Sequence, residues 1–249
     1  MAGSAIEKVN LKQHIYVNKE LCPVIFQNDS VLFDTVQDGL LRIAKFWWQS
    51  ARKMFSDFKL REMVLCGDLA GYVYNPFCEV SLGIVVDIPA VVEPYLPEIN
   101  FTMRVNEIKY KFINRPVHCR FLPAMPQDVP CYSLTNRCWV NHPRKRELSL
   151  NKEEICRAFA DYQNEINVFL NSLPKLDNNL LTMESCRSLE KFLQEEYNKA
   201  ETTRSESSEH EYDIRYLLWR TLGEIGAIKY LYTYLGDSYN YNVNVLEQC

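Results

Sequence analysis

The feature that most restricts how this chain can fold is a pair of apolar runs of strand length on either side of a glycine-bearing loop. Residues 61–67 (REMVLCG) and 80–87 (VSLGIVVD) are short, apolar and, in the second case, rich in valine and isoleucine, so both read as buried strands. Ahead of them Val36, Leu40, Ile43, Ala44, Trp47, Ala51 and Phe55 recur at spacings of three and four, which predicts an amphipathic helix over residues 36–55 with a broad buried face. A chain that runs helix, strand, glycine turn, loop and strand must build a sheet with a helix packed against it.

The rest of the chain divides in character. Residues 110–114 (YKFIN) and 116–121 (PVHCRF) read as two strands joined by a tight turn at Asn114 and Arg115. Pro89, Pro94 and Pro97 predict a loop or broken helix, and residues 121–130 are irregular. Residues 141–147 (NHPRKRE) read as a loop between two halves, which places boundaries at 1–145 and 146–249. After it only helical periodicity remains. Ile155, Phe159, Tyr162, Ile166, Phe169 and Leu173 form one stripe, Leu189, Phe192, Leu193 and Tyr197 a second, and Leu218, Leu222, Ile225, Ile228, Leu231, Tyr232 and Leu235 a third. Between the last two, residues 198–211 (NKAETTRSESSEHE) are almost free of apolar side chains and read as a flexible loop.

Composition narrows the class of protein. With 249 residues, 47% apolar and 24% charged, the chain can bury roughly 70 to 75% of its unfolded surface and needs no staple. Its nine cysteines are odd in number and show no CxxC spacing, so neither a disulfide framework nor a zinc site is expected and the thiols read as reduced. Residues 1–10 carry no basic start followed by an apolar run, and no stretch reaches about 18 consecutive apolar residues, so the expectation is a cytoplasmic protein with no membrane partner. The net charge of −4 is uneven: residues 1–150 hold 18 basic and 15 acidic side chains, residues 151–249 hold 10 and 17. A polyanion would meet the first part, but a dedicated nucleic-acid binder would be more basic, so nucleic acid is a possible partner that nothing indicates.

The loop between the two apolar runs carries a specific likeness. It resembles the motif of the predicted nucleotidyltransferases of bacteria and phages, which share the polymerase beta-like fold: a glycine-serine pair, an Ala-Asn-Tyr-like triplet, then a Ser-Asp-Ile-Asp-Leu strand. Gly67 stands at the glycine, Ala70, Gly71 and Tyr72 at the triplet, and Cys78, Glu79, Val80, Ser81 and Leu82 on the strand motif without a gap. LLRIAKFWWQS resembles the family's preceding helix, PVHCRF its third-acid strand, CYSLTNRCW a following segment that ends in tryptophan and, more loosely, RTLGEIGAIKYL a late helix. The likeness runs from Val31 to about Leu235. It implies an α/β (α+β) fold, a nucleotidyltransferase-like mixed sheet with flanking helices, followed by a helical C-terminal half.

The functional residues carry over less well. Asp68 takes the place of the serine, Glu79 that of the first acid, Ser81 the second and His118 the third. Nucleotidyl transfer needs two Mg²⁺ held by about three carboxylates, and Mg²⁺ prefers hard, charged oxygen. Ser81 and His118 do not supply that charge. Asp68 would also set a like charge against a triphosphate, at a cost of about 4 kcal/mol for each pair at ~4 Å and an effective dielectric near 20. Asp87 cannot compensate, because six residues beyond Ser81 is roughly 20 Å along a strand.

The expectation is a catalytically degenerate protein with no cofactor, which binds a nucleotide, a nucleic-acid end or a protein through Gly67, Asp68, Gly71, Tyr72 and Arg120. The alternative is an active enzyme in which Glu79 and Asp68 hold one Mg²⁺ and an NTP is the donor. A third class is a structural partner that works through the acidic helical half. His118 reads more simply as a hydrogen-bonded histidine than as a metal ligand or base, and Glu79 as a solvated acid at a strand entrance. Alternation sets Val117, Cys119 and Phe121 on one face of their strand and His118 with Arg120 on the other, toward the cleft. Arg104, Arg115 and the Arg144, Lys145, Arg146 run could meet phosphate. The clusters Phe46, Trp47, Trp48 and Tyr230, Tyr232, Tyr234 read as packing.

Overall fold

The computed structural model describes residues 10–28, 30–105, 110–127, 129–148, 150–206 and 212–246. They fall into two compact units, one built from Lys12–Leu148 together with Glu201–Asp213, the other from Ser149–Ala200 and the helices that begin at Ile214.

In the first unit a short hairpin, β1 (Phe26–Gln27) and β2 (Val31–Leu32), leads into α1 (Asp34–Ala51). The predicted stripe is its buried face, with Val36, Leu40, Ala44, Trp47 and Ala51 inside. Gln37 is buried with them and donates to the Leu134 carbonyl at 2.6 Å, so the polar group entering the core is satisfied. The sheet that α1 covers contains β3 (Lys59–Cys66), β4 (Val80–Asp87), β5 (Tyr110–Phe112), β6 (Arg115–Leu122), β7 (Cys131–Ser133) and β8 (Cys138–Asn141). Its order is β5-β6-β4-β3-β7-β8, with β4 and β6 parallel and every other pair antiparallel. The mixed α/β architecture followed by helices is the one expected.

A second helix, α2 (Leu96–Val105), follows β4. Leu65, Leu82, Ile84, Cys119, Phe121 and Tyr132 belong to one core cluster with α1. Phe121 is its hub: the rings of Trp47, Phe58 and Phe55 lie edge-on to it at 4.9, 5.1 and 5.4 Å. Trp139 stacks on Phe26 at 5.2 Å and donates its indole N–H to the Ser30 carbonyl, tying β8 to the first hairpin. The alternate positions Val64, Val85 and Cys131 form a separate cluster. The strand β4 is therefore buried through seven consecutive residues, as its apolar run requires.

Four expectations are corrected. The β5–β6 turn is centred on Ile113 and Asn114, with φ of 51° and 59°, one residue earlier than the expected turn at Asn114 and Arg115. Two positive φ values make the turn that matches strand twist, and pairing geometry outweighs the poor fit of isoleucine to that region. The third stripe is not one helix. It breaks between α5 (Ile214–Glu224) and α6 (Ala227–Leu246), where Gly226 takes φ 81° and lets the chain leave the helix. Residues 198–206 are not loop but the end of α4 (Met183–Glu206), while 207–211 lie outside the described residues. Phe46 and Tyr230 pack at the surface rather than in the core: each is 53% exposed, Phe46 edge-on to Tyr110 at 6.0 Å and Tyr230 stacked on Tyr234.

The second unit also holds α3 (Lys152–Ser172), whose start is set by a capping box between Asn151 and Glu154. Glu196 of α4 is buried and accepts from Tyr162 of α3, from Lys199 at 2.7 Å and from Arg215 of α5 at 3.0 and 3.1 Å. One carboxylate thus joins three helices.

Candidate functional site

Strand β3 ends at Cys66, and Gly67 turns the chain out of the sheet at φ 75°, ψ −162°, a region open to glycine and essentially closed to other residues. A single 3-10 turn, Asp68–Ala70, follows, closed by the Ala70 N–H on the Gly67 carbonyl at 2.8 Å. The loop to β4 is then pinned from both sides. Asn18 donates its side-chain amide to the Tyr72 and Tyr74 carbonyls at 3.0 and 2.6 Å. Asn75, fully buried, accepts from the Phe77 and Cys78 N–H groups and donates to the His14 carbonyl. Arg115 donates to the Asn75 and Cys78 carbonyls at 2.7 and 3.0 Å. Its guanidinium holds protein backbone at the place where a phosphate contact was one expectation.

The loop delivers the chain into β4 in a definite register. Cys66 of β3 stands opposite Ser81, Ser81 stands opposite His118 of β6, and on the other flank Cys66 stands opposite Cys131 of β7. Four strands therefore align Cys131, Cys66, Ser81 and His118 in one row. One pleat along, Val64, Gly83 and Arg120 form the next. Since side chains two apart share a face, Arg120 follows His118 on the face opposite Cys119 and Phe121. Gly83 matters here because a Cβ would meet Leu122 Cδ1 at 2.4 Å and Val64 Cγ2 at 2.8 Å.

Of the eight candidate site residues, Gly67, Asp68, Gly71, Ser81, His118 and Arg120 are buried, whereas Tyr72 and Glu79 are half-buried. Glu79 lies two positions before Ser81, at the entrance to β4. Asp87 closes the far end of the strand and pairs with Arg61 at 3.0 Å. Lys145 donates to the Lys19 carbonyl and holds its ammonium 5.9 Å from the centre of the Tyr72 ring. The Tyr212 hydroxyl accepts from the Arg146 N–H at 3.0 Å and donates to the Arg144 carbonyl at 3.2 Å, which fixes the backbone of the basic run. The side chain of Arg104 lies outside the described residues.

Electrostatics reflects the same row. Burial pushes the Cys131 thiol up, the charges of Cys66 and Glu62 add to the shift, and the Arg120 cation opposes it. The donor set of the row is two thiols, a hydroxyl and an imidazole. That set suits soft or borderline metals better than Mg²⁺, which prefers charged oxygen. Among the described residues no three His, Cys, Asp or Glu side chains are grouped as a metal ion would need. The Ser81 and His118 positions therefore do not fit a pair of Mg²⁺ ions.

Asn18, Asn75 and the clamp role of Arg115 were not anticipated. The asparagine before Pro76 was a usable signal, because an Asn side chain that bonds the backbone two residues on is a common turn device. No signal marked Asn18, which acts across 54 residues of chain. In comparison with known proteins, no family model, curated protein or solved structure gives a significant match.

Proposed function

We propose that the chain is a nucleotidyltransferase-like protein that has lost two-metal catalysis and acts as a binding module for a nucleotide, a nucleic-acid end or a protein partner. The observation that carries the reading is the pairing of Ser81 with His118 on adjacent parallel strands. The family motif assigns its second and third acids to these two positions, and acids that share a metal must be neighbours. Here the neighbours are a hydroxyl and an imidazole. The two groups are 4% and 3% exposed, and a Mg²⁺ ion beside them would lack the anionic oxygens that offset its desolvation. Ligand contact falls to the half-buried members of the set, Tyr72 and Glu79, with Lys145 beside the Tyr72 ring.

Incubation with Mg²⁺ or Mn²⁺ and radiolabelled nucleoside triphosphates tests this directly. The expected result is no label above background on the protein, on tRNA or on lysate proteins. Label that disappears in Glu79→Gln would overturn the proposal in favour of an enzyme using Glu79 and Asp68.

A further inference from the structure

The geometry points to an intramolecular disulfide between Cys66 and Cys131, formed across β3 and β7 when the protein meets a hydroperoxide. The two residues are direct register partners on antiparallel strands. Directly opposed residues in such a ladder have Cα atoms about 4.5 to 5.5 Å apart, inside the range of roughly 4.4 to 6.8 Å that a disulfide spans. Both are unbridged thiols, 1% and 0% exposed, and both lie on the face away from Leu65 and Tyr132. Cys66 now directs its thiol toward the Ser81 carbonyl, 3.7 Å away. A turn about its Cα–Cβ bond between staggered positions swings the sulfur to the Cys131 side without moving the strand.

Among the described residues, no other cysteine of the sheet competes for the position. Cys119 is on the other face, in the core with Phe121. Cys138 is exposed and opposes Ser133 rather than Cys131. The chemistry balances as two steps. The Cys66 thiol gives up its proton and its sulfur attacks the peroxide O–O bond, becoming a sulfenic acid; the departing oxygen takes that proton and leaves as water or an alcohol, the peroxide taking up two electrons. Cys131 then attacks that sulfur, the S–S bond forms, and hydroxide leaves with the Cys131 proton as water. The same disulfide forms whichever of the two sulfurs is oxidised first. Hydrogen peroxide is little larger than water, and β7 is only three residues long, so local opening admits it.

The test caps the exposed Cys138 and Cys156 of the native protein with iodoacetamide, adds hydrogen peroxide, then unfolds the protein in a second alkylating reagent and digests it with trypsin. The expected product is a disulfide-linked pair of the peptides 62–104 and 121–137, present only after peroxide. Because the first peptide also holds Cys78, fragmentation must place the bond at Cys66, and the pair must survive in Cys78→Ser but vanish in Cys66→Ser. Recovery of Cys66 and Cys131 as separately alkylated peptides after peroxide, or a bond placed at Cys78, would overturn the inference. Fragmentation of the wild-type product decides the matter even where a variant fails to fold. The outcome does not depend on what the protein binds.

Discussion

Ser81 and His118 face each other across the parallel β4–β6 ladder, one register step above Gly83 and Arg120. The pair restricts what this sheet face can hold, because a hydroxyl and an imidazole in a dry setting offer Mg²⁺ none of the charged oxygens it prefers.

Mg-ATP is therefore expected not to raise the melting temperature. Binding at a hundred times the dissociation constant would add about 2.7 kcal/mol, and each kcal/mol moves a chain of this size by roughly 2 to 4 °C. A ligand of that strength would show as a shift of about 5 to 10 °C. The variant Asp68→Ser, Glu79→Asp, Ser81→Asp, His118→Glu restores the acids and the hydroxyl in register, and a measurable shift is expected there. A shift of several degrees in the natural protein would show that it still holds the Mg-bound triphosphate and would favour the enzyme reading.

Gly67→Ala should destabilise the first unit by about 1 to 3 kcal/mol, the cost of forcing a side chain into a backbone region reserved for glycine. Urea unfolding measures it. Gly83→Ala should cost a similar amount for a different reason, since its methyl would collide with Leu122 and Val64. An unchanged midpoint in either variant would mean that the backbone or the neighbours yield at no cost.

Asn75→Ala removes the acceptor of two loop N–H groups and the donor to His14. Leaving buried groups unpaired costs about 1 to 3 kcal/mol, and here the loss is local. Faster hydrogen exchange is expected in residues 71–79, with α1 protected as before; uniform acceleration would show that the loop is not a separate unit.

Glu196 gives the second unit a pH dependence. Burial pushes its carboxyl up, but hydrogen bonds from Lys199, Tyr162 and Arg215 prevail and hold it below the ordinary carboxylate value. A depressed folded pKa contributes stability that is complete above the unfolded value near 4.3 and is lost as pH falls through the folded one. Glu196→Gln should cost about 2 to 3 kcal/mol near neutrality, less than a fully buried pair because Lys199 and Arg215 are half-exposed. The gap between wild type and variant should narrow as pH falls below the unfolded value near 4.3 and through the lower folded one. A gap that is constant with pH would show that the carboxylate charge is not what matters.

By itself the sequence determined the parts whose physics is local. Periodicity placed α1 and its buried face from Val36 to Ala51, the apolar runs became β3 and β4, and alternation separated His118 and Arg120 from Cys119 and Phe121. Each of these follows from side chains close together in the chain. Only the tertiary structure decided the rest. Nothing near Asn18 says that it holds the loop at Tyr72, and nothing in either cysteine says that Cys66 lies opposite Cys131. Those relations are set by strand order and register, which come from fitting whole faces together. Where local preference and packing disagreed, packing prevailed: Ile113 accepts a positive φ to close the β5–β6 turn, and the polar segment after Tyr197 continues α4 to Glu206 because the helix it extends is anchored by Leu189, Leu193 and Tyr197.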